Sequence, residues 1–164
     1  MAQTITDYPL QAAGIKGSGE FQEVTSPYTG EVIARVEQAD AAAVEAGLEQ
    51  AAQAFRDTMR KMPPHRRAEI LDNLAAQMKE RHAELSLTIA QEGGKPLKDA
   101  RIEVTRAINT VRLSAAEATQ LDGEQQAMGG TPGNEHKLSM TIREPLGVVS
   151  SISAFNHPVN LIAH

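Results

Sequence analysis

Few residues in this sequence have the type and spacing needed to bind a metal or to act as a nucleophile. The five histidines stand far apart, at positions 65, 82, 136, 157 and 164, and no nearby carboxylates complete a metal-ligand pattern. His157 and His164 are seven residues apart and could share one helix face, but two histidines alone do not make a metal site. The chain has no cysteine, which excludes disulfides, thiolate ligands and a cysteine nucleophile from it. We therefore expect no metal.

Glycine-rich motifs for phosphate binding are also missing. Neither the dinucleotide pattern GxGxxG nor the P-loop pattern occurs in the sequence. The run Gly93–Lys95 precedes Pro96, but it follows a predicted helix rather than a strand. We interpret its two glycines as a helix C-cap, a position that requires the left-handed backbone conformation.

Residues 144–164 are the most informative stretch. The apolar run from Leu146 to Ile152 is typical of a strand buried on both faces of a parallel sheet. The Asn156–Pro158 tripeptide then turns the chain, and Pro158 is well placed to start a helix. From the residues alone, Asn156 is best interpreted as a cap of that helix.

The elements that must position this stretch are mostly helical. Turn residues at 26–30 separate two extended segments and predict a hairpin. Asp40 is a good N-cap for a first helix, and the Pro63–Pro64 pair ends it and starts a second, whose apolar stripe continues to Ile89. Pro96 starts a third. We expect that helix to end near residue 123, followed by a hairpin whose second strand alternates at 136–143.

Composition excludes several functional classes. The net charge is −5 and no block of Lys or Arg occurs, so the chain carries no electrostatic signature of a nucleic-acid or membrane partner. Hydrophobic residues make up 41% and charged residues 23%, which are values of a globular protein. No apolar run reaches membrane-spanning length, and we expect a cytoplasmic protein.

Taken together, the motifs resemble the NAD(P)-dependent aldehyde dehydrogenase superfamily. The lead Glu144–Val148 and the turn Ala154–Pro158 match the segment in which a buried strand enters a Pro-Trp-Asn-Phe-Pro-like turn, with Phe155 in place of Trp and Ala154 in place of Pro. Upstream motifs agree in order: SPYTGEVIARV at 26–36, RRAEIL at 66–71, EGGKPL at 92–97, and Glu103–Val104.

The resemblance implies an α/β fold, of which this chain is only the N-terminal portion. Residues 1–123 would supply the hairpin and helical layer of the nucleotide-binding domain. Residues 124–143 would form a β-flap for oligomerisation, and residues 144–164 the first strand and the start of a helix of a Rossmann-like sheet. The catalytic domain would be absent.

The resemblance also implies roles for named residues. Asn156 would donate its side-chain amide to the oxyanion, stabilising negative charge where it develops. The cofactor, NAD or NADP, would lie beside Ile152, Ser153, Ala154 and Phe155. Polar positions at the expected substrate entrance suggest a small polar or anionic aldehyde. These substrate-binding positions would be Arg106, His157, Asn160, Leu161 and His164.

Alternatives stay open for several of these residues. Arg106 could equally be a surface charge on its helix, and the 152–155 segment could serve only in strand packing. Because the nucleophile and the general base would both lie elsewhere, we expect the chain alone to be inactive, and the complete enzyme to be a dimer or tetramer. The alternative is a non-catalytic protein that acts as an oligomerisation or interaction module.

Overall fold

The N-terminal part of the molecule is a small sheet. A computed structural model describes residues 5–164. Three strands, β1 (Thr6–Tyr8), β2 (Phe21–Thr25) and β3 (Val32–Glu37), lie in the order β1-β3-β2. The antiparallel β2–β3 pair confirms the predicted hairpin. Strand β1 runs parallel to β3, a pairing that no sequence pattern indicated.

The first helix, α1 (Ala41–Asp57), begins where the sequence predicts. Its N-cap is Asp40, whose Oδ1 accepts a hydrogen bond of 2.7 Å from the Ala43 amide. A short 3-10 helix (Met59–Lys61) follows and leads into the two prolines. The apolar stripe of α1 stays partly open, since Val44 and Leu48 are 51% and 49% exposed.

The second predicted helix is two helices. Residues Pro64–Glu80 form α2 and residues His82–Gly93 form α3, and the prediction of one continuous helix to Ile89 is wrong. Arg81, with φ −92° and ψ 15°, separates them. Both helices pack against the next helix, Leu97–Ala118. We therefore attribute the break to tertiary packing, which overrides local propensity.

Helix α4 (Leu97–Ala118) forms the centre of the core. Gly94, with φ +64°, caps α3 as predicted, and Pro96 precedes the first turn of α4. The helix ends about five residues before the predicted end, where the Thr119 hydroxyl donates to the Ala116 carbonyl. The buried cluster joins α2, α3 and α4 through Ala75, Ile89, Ala100, Val104, Ile108 and Val111.

A two-stranded ribbon follows the helices. Strands β4 (Gln125–Ala127) and β5 (Leu138–Met140) pair antiparallel, which confirms the predicted hairpin, but β5 is shorter than the predicted strand 136–143. Gly123 precedes the ribbon at a close approach, because a Cβ there would lie 1.7 Å from the Thr141 carbonyl oxygen. A larger residue at position 123 would therefore push the two arms of the ribbon apart.

The predicted buried strand at 146–152 is absent from the structure. Residues 142–155 have no helix or strand, and Leu146 and Ile152 are 92% and 96% exposed. A parallel strand forms only when neighbouring strands offer it hydrogen bonds, and within residues 5–164 no strand lies beside this segment. The expectation that Asn156 lies at the end of a sheet strand is therefore wrong for this chain.

Candidate active site

The turn that contains Asn156 is followed by a one-turn helix, α5 (Asn160–Ala163). This helix packs on α4, and Val159 and Ala163 contact the core cluster. A helix of one turn has too few internal hydrogen bonds to be stable by itself. Its position therefore depends on the contacts that it makes with α4.

The principal polar contact between α4 and this turn is made by Glu103. Its side chain is 1% exposed and lies on the buried face of α4. Oε1 accepts hydrogen bonds from the Val159 amide at 3.0 Å and the Asn160 amide at 3.3 Å. Glu103 thus supplies the cap that the start of α5 lacks in its own sequence, satisfying two amides that the helix leaves free.

Lys95, from the loop between α3 and α4, completes the contact. Its ammonium group forms an ion pair with Glu103 Oε2 and donates to the Asn156 carbonyl oxygen at 2.6 Å. It also lies 3.2 Å from His157 Nδ1, which must accept because lysine can only donate. We call Glu103, Lys95 and their contacts to residues 156–160 the clasp.

The charge state of Glu103 follows from these contacts. Burial raises the pKa of its carboxyl, but the hydrogen bonds from Lys95, Val159 and Asn160, together with the Lys95 charge, outweigh burial. The net result is a pKa below the ordinary value of 4.5, so Glu103 is ionised near neutral pH. A carboxylate buried without such partners would be strongly destabilising.

Beside the clasp lies a small cavity of about 220 Å³. Arg106, Asp99 and Glu103, from α4, line it together with His157 and Asn160 from the turn and α5. Asn160 is 7% exposed, and its Oδ1 is buried with no hydrogen-bond partner within residues 5–164. Arg106 is exposed and forms no ion pair with the described residues. The cavity therefore offers a free cation next to an incompletely satisfied amide.

The aldehyde dehydrogenase family model matches residues 15–164, nearly the whole chain. This chain belongs to the aldehyde dehydrogenase family. A 3-sulfolactaldehyde dehydrogenase of Priestia aryabhattai is 33% identical over 90% of the chain, and a lactaldehyde dehydrogenase of Methanococcus vannielii is 36% identical over 88%. The chain spans only about 30% of the length of these aldehyde dehydrogenases.

Solved aldehyde dehydrogenases have the same fold over this region. Aldehyde dehydrogenase 21 of Physcomitrella patens, solved with its reaction product succinate, matches 98% of the chain with a TM-score of 0.90 and 33% identity. An NADP-dependent glyceraldehyde-3-phosphate dehydrogenase of Bacillus halodurans, solved with NADP, matches 98% with a TM-score of 0.85 and 30% identity. The chain covers 34% of each, which confirms the mixed α/β fold of an N-terminal portion.

Only some of the predicted site residues of this aldehyde dehydrogenase chain lie close together. Arg106, His157 and Asn160 come together around the cavity. Leu161 and His164 are exposed on α5 and at the end of the chain, and neither lines that cavity. Asn156 is exposed, and its side chain forms no hydrogen bond with the described residues, although its carbonyl is held by Lys95.

The predicted cofactor residues are mostly exposed to solvent. Ile152 and Phe155 are 96% and 92% exposed. Ser153, Ala154 and Phe155 line one side of a hollow of about 420 Å³, and Glu92 lies across it. Burial raises the pKa of Glu92. No main-chain group of residues 152–155 forms a hydrogen bond within the described part of the chain, so these groups are free to meet a ligand.

Sequence reasoning missed the two residues of the clasp. Glu103 occupies the buried face of α4 with Ala100, Val104 and Ala107, at spacings of three and four. A charged residue in an apolar stripe requires a partner, and that signal could have identified Glu103. Interpreting residues 93–95 as a helix cap gives no role to the Lys95 side chain, whose ammonium group pairs with that carboxylate.

Residues 5–164 contain neither a cluster of metal ligands nor a helix that could span a membrane. No three His, Asp or Glu side chains in this part of the chain are arranged to hold a metal ion. None of its helices combines the length and the apolar character needed to cross a bilayer.

Proposed function

We propose that the chain is the N-terminal portion of a cytoplasmic NAD(P)-dependent aldehyde dehydrogenase that oxidises a small polar or anionic aldehyde. Asn156 donates to the oxyanion, and Arg106, His157 and Asn160 bind the polar end of the substrate. Residues 1–123 belong to the nucleotide-binding domain, residues 124–143 form the flap, and residues 144–164 start the Rossmann-like sheet of the complete enzyme.

The observation that carries the proposal is the cavity that Arg106 forms with the residues following Asn156, although Asn156 itself does not line it. Arg106 and the pair His157 and Asn160 are about fifty residues apart in sequence, yet they line one hollow. Asp99 and Glu103 also line the cavity, but neither forms an ion pair with Arg106 within residues 5–164. A guanidinium without an ion-pair partner is well suited to carboxylate, sulfonate or phosphate, which it binds through two parallel N–H groups. A substrate whose anionic group binds this cation would therefore lie next to the turn that carries the oxyanion donor.

The relatives support an anionic substrate. They include a dehydrogenase named for 3-sulfolactaldehyde, an enzyme solved with succinate, and another named for glyceraldehyde 3-phosphate. Each of these small molecules carries a negative group. Lactaldehyde dehydrogenases among the relatives are named for a neutral hydroxyaldehyde, which the amide of Asn160 could bind without help from Arg106.

The chemical step needs groups that lie outside this chain. In the aldehyde dehydrogenases that this chain resembles, a cysteine attacks the aldehyde, and a glutamate activates the water that releases the acid. NAD(P)+ would be the hydride acceptor. Its nicotinamide would bind at the 420 Å³ hollow, where the main-chain groups of residues 152–155 have no hydrogen-bond partner within the described residues. Asn156 would stabilise the alkoxide that forms when the carbonyl is attacked.

A comparison of charged and neutral aldehydes tests the substrate class. In the complete enzyme carrying this segment, Arg106→Met should lower kcat/KM for a short anionic aldehyde by roughly 10- to 150-fold, the equivalent of one charged hydrogen bond. A neutral aldehyde of equal length should be unaffected. Arg112→Met, on the same helix and also exposed, is the matched control. Equal losses for both aldehydes, or a wild-type preference for long aliphatic aldehydes, would reject an anionic substrate.

Substitution of the amide donor tests the catalytic assignment. Asn156→Ala in the complete enzyme should lower kcat by roughly 10²- to 10³-fold, as the loss of one oxyanion donor does elsewhere. Conversely, the 164-residue chain should show no dehydrogenase or esterase turnover, because it contains no cysteine. Turnover by the purified chain of verified mass would contradict this assignment.

The β4–β5 ribbon favours a second role, in assembly. Leu138 and Met140 on β5 are 56% and 73% exposed, and Ile142 beyond it is 80% exposed. A ribbon with an uncovered apolar face can pair with a second copy through its edge. Light scattering should show that Met140→Lys shifts the complete enzyme toward monomer, whereas Lys137→Glu at the ribbon turn should not. An unchanged oligomer with Met140→Lys would exclude this role.

A further inference from the structure

The clasp ties both sides of the Asn156 turn to one buried ion pair. Lys95 donates to the Asn156 carbonyl at 2.6 Å, and Glu103 accepts from the Val159 amide at 3.0 Å. The two anchored groups therefore bracket His157 and Pro158. Because the bonds go to main-chain atoms, they restrain the backbone whatever the side chains of the turn are.

The clasp also provides the first hydrogen bonds to the chain after a long segment that has none within the described structure. Thr141 donates its amide to the Glu124 carbonyl at 2.9 Å. From residue 142 to residue 155 the described structure contains no hydrogen bond or ion pair that holds the chain. Lys95 and Glu103 therefore supply the first polar contacts that fix the Asn156 main chain relative to the core, beside the apolar contacts of Val159 and Ala163.

The anchor itself is buried. Glu103 lies between Ala100 and Val104, both of which are 0% exposed, on the most buried helix of the molecule. Lys95 follows the Gly94 cap and is 17% exposed, so its ammonium group reaches the carboxylate from a defined loop. Asp99, Arg106 and His157 are the other charged or titratable groups around the carboxylate, and of these only His157 lies within ion-pair distance, at 3.4 Å.

We propose that Glu103 and Lys95 are positioning residues for the oxyanion donor: the ion pair holds the main chain of residues 156–160 so that the Asn156 amide is presented in one place. This inference rests on the oxidation function proposed above. Catalysis by a preorganised donor requires its position to be held within a fraction of an ångström, and a displacement of about 1 Å can cost roughly 10²-fold in rate.

Three substitutions separate the charge of the clasp from its shape. Glu103→Gln keeps the size and one acceptor oxygen but removes the ion pair. Lys95→Met removes the ammonium group without touching α4, and Lys95→Arg restores a cation as the conservative variant. Glu84→Gln is the matched control, since Glu84 also forms an ion pair, with Arg81, but is 57% exposed on α3.

In the complete enzyme, kinetics should distinguish positioning from stability. Glu103→Gln and Lys95→Met should each lower kcat by roughly 10- to 100-fold while KM for NAD(P)+ stays unchanged, and Lys95→Arg should recover most of the loss. In an Asn156→Ala background, Glu103→Gln should have no further effect on kcat, because the two act as one unit. An equal loss in both backgrounds would show a merely structural role and overturn the proposal.

A second measurement needs no activity. Amide hydrogen exchange in the 164-residue chain should show that Val159 and Asn160 lose protection in Glu103→Ala, which removes their acceptor, while Ala107 and Ile108 on α4 keep theirs. Unchanged protection at 159 and 160 would overturn the clasp itself. If protection is lost but Asn156→Ala leaves kcat intact, the clasp exists and the oxyanion assignment fails, so the two failures are distinguishable.

Discussion

The helical core and segment 142–155 contain the same kinds of apolar side chain but bury them to opposite extents. Ile89 and Val104 are 2% and 0% exposed, whereas Leu146 and Ile152 are 92% and 96% exposed. A helix satisfies its own backbone and needs only neighbours for one stripe, which α2, α3 and α4 give each other. A parallel strand depends on other strands for every backbone bond. Apolar sequence therefore predicts burial only where the partners are within reach.

The largest expected effect tests the packed side of this comparison. Ile89→Ala should lower the free energy of unfolding by about 2–5 kcal/mol, because it leaves a cavity among α2, α3 and α4. Leu113→Ala, on the exposed face of α4 at 62% exposure, should change it by less than about 0.5 kcal/mol. Urea denaturation followed by circular dichroism measures both. Similar costs for the two variants would mean that the core is not packed as described.

The junction between the two regions should respond to acid. Glu103 has a lowered pKa, so the stability it contributes is fully present above its unfolded value of 4.5 and is lost as the pH falls through the lower folded value. Glu103→Gln should therefore destabilise the chain near pH 7 by roughly 1.5–3 kcal/mol, the scale of a charged hydrogen bond. The difference from wild type should shrink below pH 4.5. A constant difference from pH 7 to pH 3 would show that the charge of Glu103 contributes nothing.

The predictions from sequence succeeded where the signal is local. Asp40, Pro64 and Gly94 act on adjacent backbone groups, and each lies where the helix boundary was predicted. The break at Arg81 and the pairing of β1 with β3 depend on distant packing, and neither was predicted. Local chemistry determines where helices begin and end, while tertiary contacts determine where they bend and which strands meet.

The candidate site divides in the same way. The motif match pointed to Arg106, His157 and Asn160, and the fold brings all three to one cavity. The clasp was missed because its ion pair joins residues eight apart, and its contacts to the turn span more than fifty. The strand at 146–152 was predicted because its composition suits a buried sheet, but composition does not indicate whether a neighbouring strand is present.

A smaller effect is expected at the start of the helical region. Asp40→Ala removes the acceptor for the Ala43 amide and should cost about 1 kcal/mol, within the usual range of about 0.5–2 for an N-cap. Asp40→Asn keeps an acceptor and should cost little. Thermal unfolding of the three proteins at pH 7 measures the difference. Equal losses for Asn and Ala would mean that the hydrogen bond is absent and that only charge near the helix end matters.

The smallest expected effect is the sharpest test of the comparison. Ile152→Ser replaces a 96% exposed side chain, so in the 164-residue chain it should change the free energy of unfolding by less than about 0.5 kcal/mol. In a complete enzyme, where we propose that residues 144–164 enter a sheet, the same substitution should cost several kcal/mol, comparable to about 2–5 for other buried large-to-small changes. Leu113→Ser, exposed on α4, should be mild in both proteins and serves as the control. A large loss in the short chain would show that segment 142–155 is already packed there, and a small loss in both would show that it never joins a sheet.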